Sequence, residues 1–413
     1  MMQTLAGADW LNARETRAVI AALEAARPGC ARFVGGCVRN TLMGRAVDDI
    51  DIATQLKPEE TIKALGTAGI RSIPTGIEHG TVTAIVDHVP FEITSLRRDV
   101  ETDGRRAVVA FTQDWAEDAQ RRDFRLNAIY ADGNGNLYDP TGGGLEDVAA
   151  GRVIFIGDAD ERLREDYLRI LRFFRFNAWY GCKIDADGLA ACARQKDGLK
   201  KIAVERIWKE FKKLLGAPEA SFVITPMAQA GVLEEILPEW RGKDQIFDQD
   251  TTPAGYLEDV EDSETNHELV PDPMQRFMAL LPHEEPVVRA VCSRLKLSNS
   301  DRDRLVAWSQ VDPDYTRYQT LKGIRAEEYR MGRQAVIDWA IWMILHTPLE
   351  YYKTAGELPR FPLKGEDLVK AGLKPGPAVG QLLKALEAWW VEGDFTAQKG
   401  TLLEELERRL KAD

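Results

Sequence analysis

Two aspartates separated by one residue, Asp49 and Asp51, have a spacing that can support chemistry. In the sequence D-I-D-I, the period of two predicts a β-strand that carries both carboxylates on one face. Two carboxylates on one strand face can share divalent metal ions. An isolated D-x-D pair also occurs by chance, so the neighbouring residues decide how much weight this pair carries.

A glycine pair, Gly35 and Gly36, precedes these aspartates in the sequence F-V-G-G-C-V-R. Glycines permit a tight turn and expose backbone N–H groups to a bound phosphate. Residues 38–43 predict a short helix whose positive N-terminal end lies at the same place, with Arg39 on its first turn. Residues 32–52 therefore predict a phosphate-binding turn beside a pair of candidate metal ligands.

A basic pair occurs in Q-R-R-D-F-R-L-N-A, residues 120–128, where the chain enters an apolar run. Arg122 is suited to bidentate contact with a phosphate. A helix N-terminus that carries surface charges would give the same pattern, and the sequence leaves both interpretations open.

The third cluster is E-D-Y-L-R-I-L-R-F-F-R-F, within a helix predicted over residues 161–179. Its three arginines recur at every third position and form an arginine stripe headed by Asp166: Arg169, Arg172 and Arg175. A solvated basic face is the alternative. Because three arginines without matching acids would repel one another, the stripe favours an anionic or base-like ligand along it.

A net charge of −12 over 413 residues argues against a nucleic-acid partner. The charge is unevenly distributed, however, and the distribution matters more than the sum. Residues 234–272 carry thirteen acids and two bases, which accounts for nearly all of the excess. The prolines and few aliphatic residues of this acidic segment predict a solvated loop or mobile insertion. Residues 151–213 carry fifteen bases and ten acids, so we expect a polyanion to bind there.

Composition limits the class of protein. A hydrophobic content of 44%, without an apolar run of about 18 to 20 residues, predicts a cytoplasmic globular protein that does not span a membrane. The five cysteines include no C-x-x-C pair, which argues against a disulfide framework or a structural zinc site. The length predicts roughly two to four domains.

The chain changes character near residue 150. Before it, strands are predicted at 81–86, 90–95 and 107–111, with helices at 13–26 and 58–65. After it, further helices are predicted at 187–195, 204–215, 221–230, 275–281, 287–295, 301–310, 333–345, 379–391 and 397–411. This pattern favours an α/β or α+β catalytic region followed by helical domains.

Taken in order, the motifs G-G-x-V-R, D-I-D, R-R-D-x-x-x-N-A and E-D-x-x-R-x-x-R-x-x-R-F resemble the class II tRNA nucleotidyltransferase and bacterial poly(A) polymerase family. The resemblance covers roughly residues 30–215, including V-E-R-I-W-K-E-F-K-K-L-L. It returns at F-P-L-K-G-E-D-L and A-G-L-K-P-G-P-A-V-G, which resemble the family's tail. That last piece also predicts a turn whose backbone amides could bind a phosphate, or a plain interhelical turn.

The resemblance implies an α+β fold, with a nucleotidyltransferase head that contains a small mixed β-sheet, followed by all-α neck, body and tail domains. We place the catalytic head at residues 1–148 and the neck, which would bind the nucleotide base and RNA, at 149–215. The body would span 216–345, with an acidic insertion at 234–272, and a tRNA-binding tail would span 346–413.

The resemblance also implies a role for each matching residue. Asp49 and Asp51 would be catalytic and hold two Mg²⁺ ions. The triphosphate would be bound by four residues: Gly35, Gly36, Arg39 and Arg122. Asp166 and Arg169 would recognise the base edge, supported by Arg172 and Arg175.

Base recognition by an aspartate and an arginine has a chemical basis. A carboxylate accepts from the exocyclic amine of cytosine or adenine, and an arginine donates to the acceptor beside that amine. Guanine and uracil present the opposite pattern. One such pair can therefore admit CTP and ATP without a nucleic-acid template.

Two residues and one segment differ from the family pattern or have more than one interpretation. Asn40 stands where the family usually has an aspartate, which could alter a supporting hydrogen bond. Glu92, on a predicted strand, is a candidate third carboxylate near the metals. Residues 97–106 match a flexible loop of the family that could act as a lever, or form an ordinary exposed hairpin.

The implied function is template-independent addition of C, C and A to the 3′ end of tRNA from CTP and ATP, with release of pyrophosphate. Residues 74–83, P-T-G-I-E-H-G-T-V-T, resemble the tRNA enzymes, and the absence of a long basic extension argues against a processive polymerase. A poly(A) polymerase and a CC-only or A-only enzyme remain alternatives. An RNA-binding protein with an inactive site is opposed by intact Asp49, Asp51 and Arg39. The partner would be the tRNA acceptor arm, and the sequence does not indicate an oligomeric state.

Overall fold

The computed structural model describes residues 4–102, 107–240 and 253–411; the predicted loop at 97–106 and the acidic segment at 234–272 lie partly outside them. The chain divides into two compact units, residues 1–238 and 239–413. The finer division into head, neck, body and tail stays a prediction. Helices dominate after residue 150 and the sheet lies before it, so the predicted α+β fold class is confirmed.

The β-structure of the first unit comprises nine strands in the described residues: β1 (Ala31–Val34), β2 (Asp51–Thr54), β3 (Arg71–Gly76), β4 (Thr81–Val86), β5 (Val89–Ser95), β6 (Arg97–Thr102), β7 (Ala107–Phe111), β8 (Tyr130–Ala131) and β9 (Leu137–Tyr138). Seven of them form one sheet in the order β3-β4-β5-β2-β1-β8-β9. The β2–β5 pair is parallel and its neighbours are antiparallel, so the sheet is mixed, as predicted. β6 and β7 pair separately as a hairpin.

Alternating side chains explain why β4 and β5 form where the period of two predicts strands. Val82 and Ala84 of β4, and Phe91 and Ile93 of β5, are buried, whereas the residues between them face outward. This apolar face stabilises the sheet and fixes its register, since a shift by one residue would expose the whole set.

The first unit also contains twelve described α-helices: α1 (Asp9–Asn12), α2 (Arg14–Ala26), α3 (Gly36–Leu42), α4 (Pro58–Thr67), α5 (Trp115–Gln120), α6 (Gly144–Ala150), α7 (Ala159–Glu165), α8 (Leu168–Tyr180), α9 (Ala186–Gln195), α10 (Val204–Leu215), α11 (Ser221–Gln229) and α12 (Val232–Ile236). Short 3₁₀ turns span Ile77–His79, Arg125–Asn127 and Lys196–Lys201. α2 and α4 contact each other and the sheet, and α8 packs against α10 and α11.

The single helix predicted over residues 161–179 is wrong, because the chain breaks between α7 and α8. Asp166 adopts an extended conformation with φ −150° and ψ 103°. Its Oδ1 accepts a hydrogen bond from the Leu168 backbone N–H at 3.1 Å, which caps the start of α8. Such a local side-chain bond offers the backbone an alternative to helical bonding.

Aromatic packing places α8 against the sheet-containing part of the unit. Phe173 of α8 stacks on Phe155 with centroids 5.4 Å apart, and Phe176 lies 5.3 Å from Phe124. Phe173 and Phe124 are completely buried. These contacts hold the arginine stripe, which lies on the same helix, in a fixed position.

The second unit is helical throughout its described residues: α13 (Pro253–Asn266), α14 (Pro273–Ala279), α15 (Glu285–Arg294), α16 (Asn299–Ser309), α17 (Leu321–Met331), α18 (Arg333–Trp342), α19 (His346–Tyr352), α20 (Gly365–Lys370), α21 (Pro377–Glu392) and α22 (Lys399–Leu410), with a 3₁₀ turn at Tyr315–Gln319. Its last helices enclose an apolar cluster that includes Leu368, Leu386, Trp390 and Leu402. Residues 374–378, in the predicted phosphate-binding turn before α21, are exposed.

The interpretation of the acidic segment as a solvated loop or mobile insertion is wrong for residues 253–266, which form α13. Leu257 and Val260 of this helix are buried, three residues apart, and α13 contacts α14. Glu264 is also buried and accepts hydrogen bonds from Arg276 at 2.7 and 3.1 Å. The surplus of acids on the outer surface concealed a helix with an apolar face.

None of the helices in the described ranges is long and apolar enough to cross a membrane.

Leu257→Ala should lower the free energy of unfolding by about 2 to 5 kcal/mol, because the substitution leaves a cavity where α13 meets its neighbours. Urea unfolding followed by circular dichroism would measure the change. Leu321→Ala, at a leucine that is 58% exposed in the same unit, is the matched control and should change the value by less than about 0.5 kcal/mol. Equal effects of the two substitutions would contradict the packing of α13.

Candidate active site

The turn between β1 and α3 depends on glycine at position 35. Gly35 has φ +75° and ψ −126°, a backbone conformation that side chains strongly disfavour. A Cβ at this position would lie 3.6 Å from Oδ2 of Asp51. The predicted turn therefore lies directly beside one of the predicted metal ligands, and glycine leaves the space next to that carboxylate open.

Three carboxylates approach one another at the start of β2. β2 begins at Asp51, so the predicted strand does not include Asp49, which lies in the preceding segment, residues 45–50, without regular structure. The Glu92 N–H also donates to the Ile50 carbonyl at 3.3 Å, and a shared face for Asp49 and Asp51 stays a prediction. Asp51 pairs in parallel register with Glu92 of β5, which places the two side chains on neighbouring strands. Glu92, the candidate third carboxylate, thus lies on the strand next to Asp51.

The neighbouring carboxylates change the pKa of Asp51. Burial, and next the negative charge of Glu92, raise the pKa of the Asp51 carboxyl to about 6, although the charge of Arg122 lowers it. Asp49 adds to the rise and Arg39 opposes it. Crowded carboxylates of this kind are stabilised by a cation.

The two carboxylates are suited to Mg²⁺, and less suited to a metal ion that needs three or more protein ligands. In the described part of the chain, no group of three or more His, Cys, Asp or Glu side chains is arranged to enclose a metal ion. Mg²⁺ is usually bound through one or two carboxylates, with water and substrate phosphates completing its shell. Asp49 and Asp51, beside an open turn, meet that requirement.

Arg39 is buried on α3 and held by neutral acceptors. Its Nη1 donates to Oδ1 of Asn127 at 2.5 Å, and its Nη2 donates to Oδ1 of Asn40 and to the Tyr180 hydroxyl, both at 2.8 Å. The guanidinium also lies 4.0 Å from the centroid of the Tyr180 ring. Burial lowers the pKa of Arg39, so its charge is not stabilised as fully as a salt bridge would stabilise it.

Asn127 and Asp123, which the sequence alone did not single out, connect Arg39 to the arginine stripe. Asn127 donates from Nδ2 to Oδ1 of Asp123 at 3.1 Å, and Arg172 donates from Nε to Oδ2 of Asp123 at 2.7 Å. Burial opposes ionisation of Asp123, but Arg172 and Asn127 outweigh it and lower the pKa of Asp123 to about 2. Both residues belong to R-R-D-x-x-x-N-A, the motif from which only Arg122 had been selected.

Arg122 is engaged within the protein. Its Nη2 donates to Oδ2 of Asp118 at 3.2 Å and its Nε donates to the Tyr130 hydroxyl at 3.3 Å. Asp118 is buried and also binds Arg121. The phosphate contact of Arg122 stays a prediction. The structure shows that the positive charge of Arg122 is close enough to lower the pKa of Asp51.

The premise that the arginine stripe lacks matching acids is wrong. Arg169 pairs with Glu165 at 2.5 Å, Arg172 pairs with Asp123, and Arg175 pairs with Glu210 at 2.7 Å. Asp123 and Glu210 are distant in sequence from the arginines they bind, so the periodicity of the stripe could not reveal them.

The Arg169 backbone N–H donates to the Asp166 carbonyl at 2.9 Å, but the two side chains bond to other partners. Arg169 donates to Glu165 and, at 2.9 and 3.0 Å, to the carbonyls of Arg162 and Arg121. Asp166 accepts from Nη2 of Arg206 at 2.9 Å, an arginine of the V-E-R-I-W-K-E motif that had not been selected. Their joint recognition of a base therefore stays a prediction and requires Arg169 to leave its present partners.

The sequence matches known families in the regions that carry this site. Residues 31–154 match the family described as the poly A polymerase head domain. Residues 181–243 match the family described as a probable RNA and SrmB-binding site of polymerase A. Together the two matches include β1, the aspartate pair and the helices that follow α8.

Relatives that match most of the chain show which protein family it belongs to. The mitochondrial CCA tRNA nucleotidyltransferase 1 of Danio rerio is 33% identical over 91% of this chain and 86% of its own length. A CCA-adding enzyme of Streptococcus pyogenes is 34% identical over 91% of this chain and 93% of its own. The chain belongs to the family of CCA-adding tRNA nucleotidyltransferases. The resemblance inferred from the motifs is thereby confirmed.

A solved member of the family extends the match to the fold. The crystal structure of the Bacillus stearothermophilus CCA-adding enzyme in complex with CTP aligns with a TM-score of 0.75 at 26% identity, covering 97% of this chain and 99% of that chain. The nucleotidyltransferase head followed by helical domains is thus the architecture of a CCA-adding enzyme.

Asp123→Ala should lower the free energy of unfolding by about 3 kcal/mol, because it leaves Arg172 without its carboxylate partner in a largely buried position. Denaturant unfolding would measure the loss. Asp160→Ala removes the aspartate of another Arg–Asp pair, with the more exposed Arg194, and should cost much less. A loss for Asp123→Ala no larger than that of the control would contradict the assigned network.

Proposed function

We propose that this enzyme adds C, C and A to the 3′ end of tRNA, using CTP and ATP and releasing pyrophosphate. The observation that carries the proposal is the Asp49–Asp51 pair beside the Gly35 turn, in a chain that its CCA-adding relatives match along more than four fifths of their length. The tRNA acceptor arm is the proposed partner. A cytoplasmic location stays a prediction from the sequence, because the Danio rerio relative is named as mitochondrial.

Asp49 and Asp51 are the proposed catalytic residues and would hold two Mg²⁺ ions; Glu92, on the neighbouring strand, would act on the site through its charge. Bound magnesium would supply activation of the 3′-hydroxyl and neutralisation of charge on the leaving pyrophosphate. The protein's own contribution is placement: the short segment after α3 holds Asp49, and β2 holds Asp51 next to the turn at Gly35. Fixed placement of reacting groups lowers the barrier by removing orientational freedom.

The turn and Arg39 would bind the triphosphate. Gly35 lies beside Asp51 and Gly36 lies beside the Arg39 guanidinium, so their backbone amides would be available to a phosphate there. Arg39 is buried and, in the described residues, bonds to neutral acceptors only. Donors fixed before the reaction stabilise developing negative charge without reorganisation. Arg122, which is paired with Asp118, would add positive electrostatic potential near Asp51.

Asp166 would select the base. Its side chain is 34% exposed, and Arg206 and the Leu168 N–H each occupy one site on its carboxylate. A carboxylate has about four lone-pair sites, so an exocyclic amine of cytosine or adenine can still be accepted. Arg169 would complete the recognition after exchanging its bond to Glu165, while Arg172 and Arg175 keep α8 in position.

Incubation of the protein with tRNA that lacks its 3′ CCA, with each nucleotide in turn and with CTP plus ATP, tests the function directly. Sequencing of the product ends should show CCA when both nucleotides are present. Products that end in CC, in a single A or in a long A tract would instead assign a CC-only enzyme, an A-only enzyme or a poly(A) polymerase. No extension at all would overturn the proposed function.

Asp49→Ala and Asp51→Ala should each abolish nucleotide incorporation and leave tRNA binding largely in place, because each removes a metal ligand and no RNA contact. Primer-extension gels and filter binding would measure the two properties. Asp48→Ala is the matched control, since Asp48 is an exposed neighbour in the same segment, and should retain activity. Incorporation by either Asp49→Ala or Asp51→Ala would refute the metal assignment.

Asp166→Ala should reduce the preference for CTP and ATP over UTP and GTP, because the acceptor for the exocyclic amine is lost. The ratio of kcat/KM values for the four nucleotides would measure it. Glu161→Ala, at an exposed acid of the preceding helix, should leave the ratio unchanged. Unaltered selectivity in Asp166→Ala would show that the base is recognised elsewhere.

A further inference from the structure

Arg45 lies at the start of the segment that leads to Asp49. Its backbone N–H donates to the Asn40 carbonyl at 2.8 Å, which fixes its main chain just after α3. Its side chain is exposed, and its guanidinium carbon lies 5.0 Å from the centroid of the Tyr180 ring. Stacking on an aromatic ring holds a guanidinium in place without using its hydrogen-bond donors, so these donors stay available to a ligand.

The Tyr180 ring contacts a second arginine. The guanidinium carbon of Arg39 lies 4.0 Å from the same centroid, so the two cationic centres are no further apart than the sum of the two distances. That separation is shorter than the Debye length of about 10 Å at 0.1 M salt, so an anion at one arginine is also attracted by the other. Neither guanidinium bonds to a carboxylate of the described residues.

This pair of arginines lies beside the turn that would bind the triphosphate. A Cβ at Gly36 would lie 4.0 Å from Nη2 of Arg39. Arg122, the other arginine assigned to the triphosphate, is already bonded to Asp118. The terminal phosphate of a nucleoside triphosphate carries more negative charge than the internal ones, because it has a second ionisation. The exposed Arg45, next to buried Arg39, is therefore suited to the terminal part of the triphosphate.

We propose that Arg45 binds the terminal phosphates of CTP and ATP, the part that leaves as pyrophosphate, and that Tyr180 orients its guanidinium. The inference rests on the proposed function and adds a binding residue outside the motifs that predicted the site. Such a contact does not involve the base, so it should act equally on CTP and ATP. It should also be absent from a nucleoside monophosphate.

Arg45→Ala should weaken the binding of CTP and of ATP by about tenfold each, the lower end of what a hydrogen bond to a charged group contributes. Inhibition by pyrophosphate should weaken by a similar factor, whereas inhibition by CMP, which lacks the phosphates concerned, should not change. Calorimetric titration in the absence of tRNA measures the two affinities. Single-nucleotide extension of tRNA that lacks CCA measures the inhibition constants and the KM for tRNA, which should stay the same.

Two further variants serve as controls. Arg45→Lys keeps the charge but loses the planar group that stacks on the ring, so it should recover only part of the affinity. Arg71→Ala removes another exposed arginine that has no ion-pair partner in the described residues. Arg71 lies on β3, three strands and roughly 14 Å across the sheet from β2, and its loss should leave every constant unaltered. Thermal unfolding of each variant verifies that the fold is retained.

The orienting role of Tyr180 is tested by coupling. In a Tyr180→Leu background, Arg45→Ala should cause a smaller loss of CTP affinity, because the arginine there lacks the ring that orients it. In a Tyr180→Phe background, which keeps the ring and removes the hydroxyl bonded to Arg39, the loss should remain about tenfold. Equal losses in the two backgrounds would refute this role of the ring.

Unchanged CTP affinity in Arg45→Ala would overturn the proposal, and so would an equal loss of inhibition by CMP. A raised KM for tRNA with unaltered CTP affinity would assign Arg45 to the RNA backbone and refute the contact with the triphosphate. A loss in Arg71→Ala as large as in Arg45→Ala would attribute the effect to net charge and also refute the proposal. Failure of the unsubstituted protein to bind CTP or to extend tRNA would refute the proposed function, which is a distinct outcome.

Discussion

The positive charge of Arg39, buried among neutral acceptors, is the constraint on which the active site depends. Removing a charge from water is costly unless hydrogen bonds and an opposite charge compensate it. The protein supplies the bonds through Asn40, Asn127 and Tyr180, but no directly bonded carboxylate within the described residues. Carboxylates compensate the charge only without a direct bond: Asp123 raises the pKa of Arg39, and Arg39 in turn lowers the pKa of Asp51. A bound triphosphate would supply the missing negative charge, so the arrangement favours occupancy of the site.

The same arginine links α3 to α8. Tyr180, at the end of α8, receives a bond from Arg39, and Arg172, two turns earlier, is joined to Arg39 through Asp123 and Asn127. The helix that follows Asp166 is therefore fixed against α3, the helix that holds Arg39. A nucleotide has a limited distance between its phosphates and its base edge, so a rigid connection of this kind would keep the proposed phosphate and base contacts at a matching separation.

The sequence was sufficient for features that local patterns encode. Period-two alternation located β4, β5 and β7, and the glycine pair located the turn beside Asp51. It was insufficient where the deciding partner is remote or a local bond competes with the helix. Glu210 is separated by 35 positions from Arg175, which it binds, and at the break before α8 the Asp166 side chain bonds to the Leu168 N–H. In α13, buried Leu257 and Val260 were outnumbered by acids, so average composition concealed the helix.

The crowding of Asp49, Asp51 and Glu92 shows how stability is exchanged for function at this site. Burial and neighbouring negative charge raise the pKa of Asp51 to about 6, which means that the ionised carboxylate is less stable in the folded protein than in water. An aspartate with a raised pKa lowers folding stability at neutral pH, because the unfolded chain ionises more easily. A divalent cation removes that penalty by attracting the same charges that repel one another without it. The repulsion among these carboxylates therefore favours cation binding. The positive charge of Arg122, which is paired with Asp118, partly offsets the repulsion by lowering the pKa of Asp51.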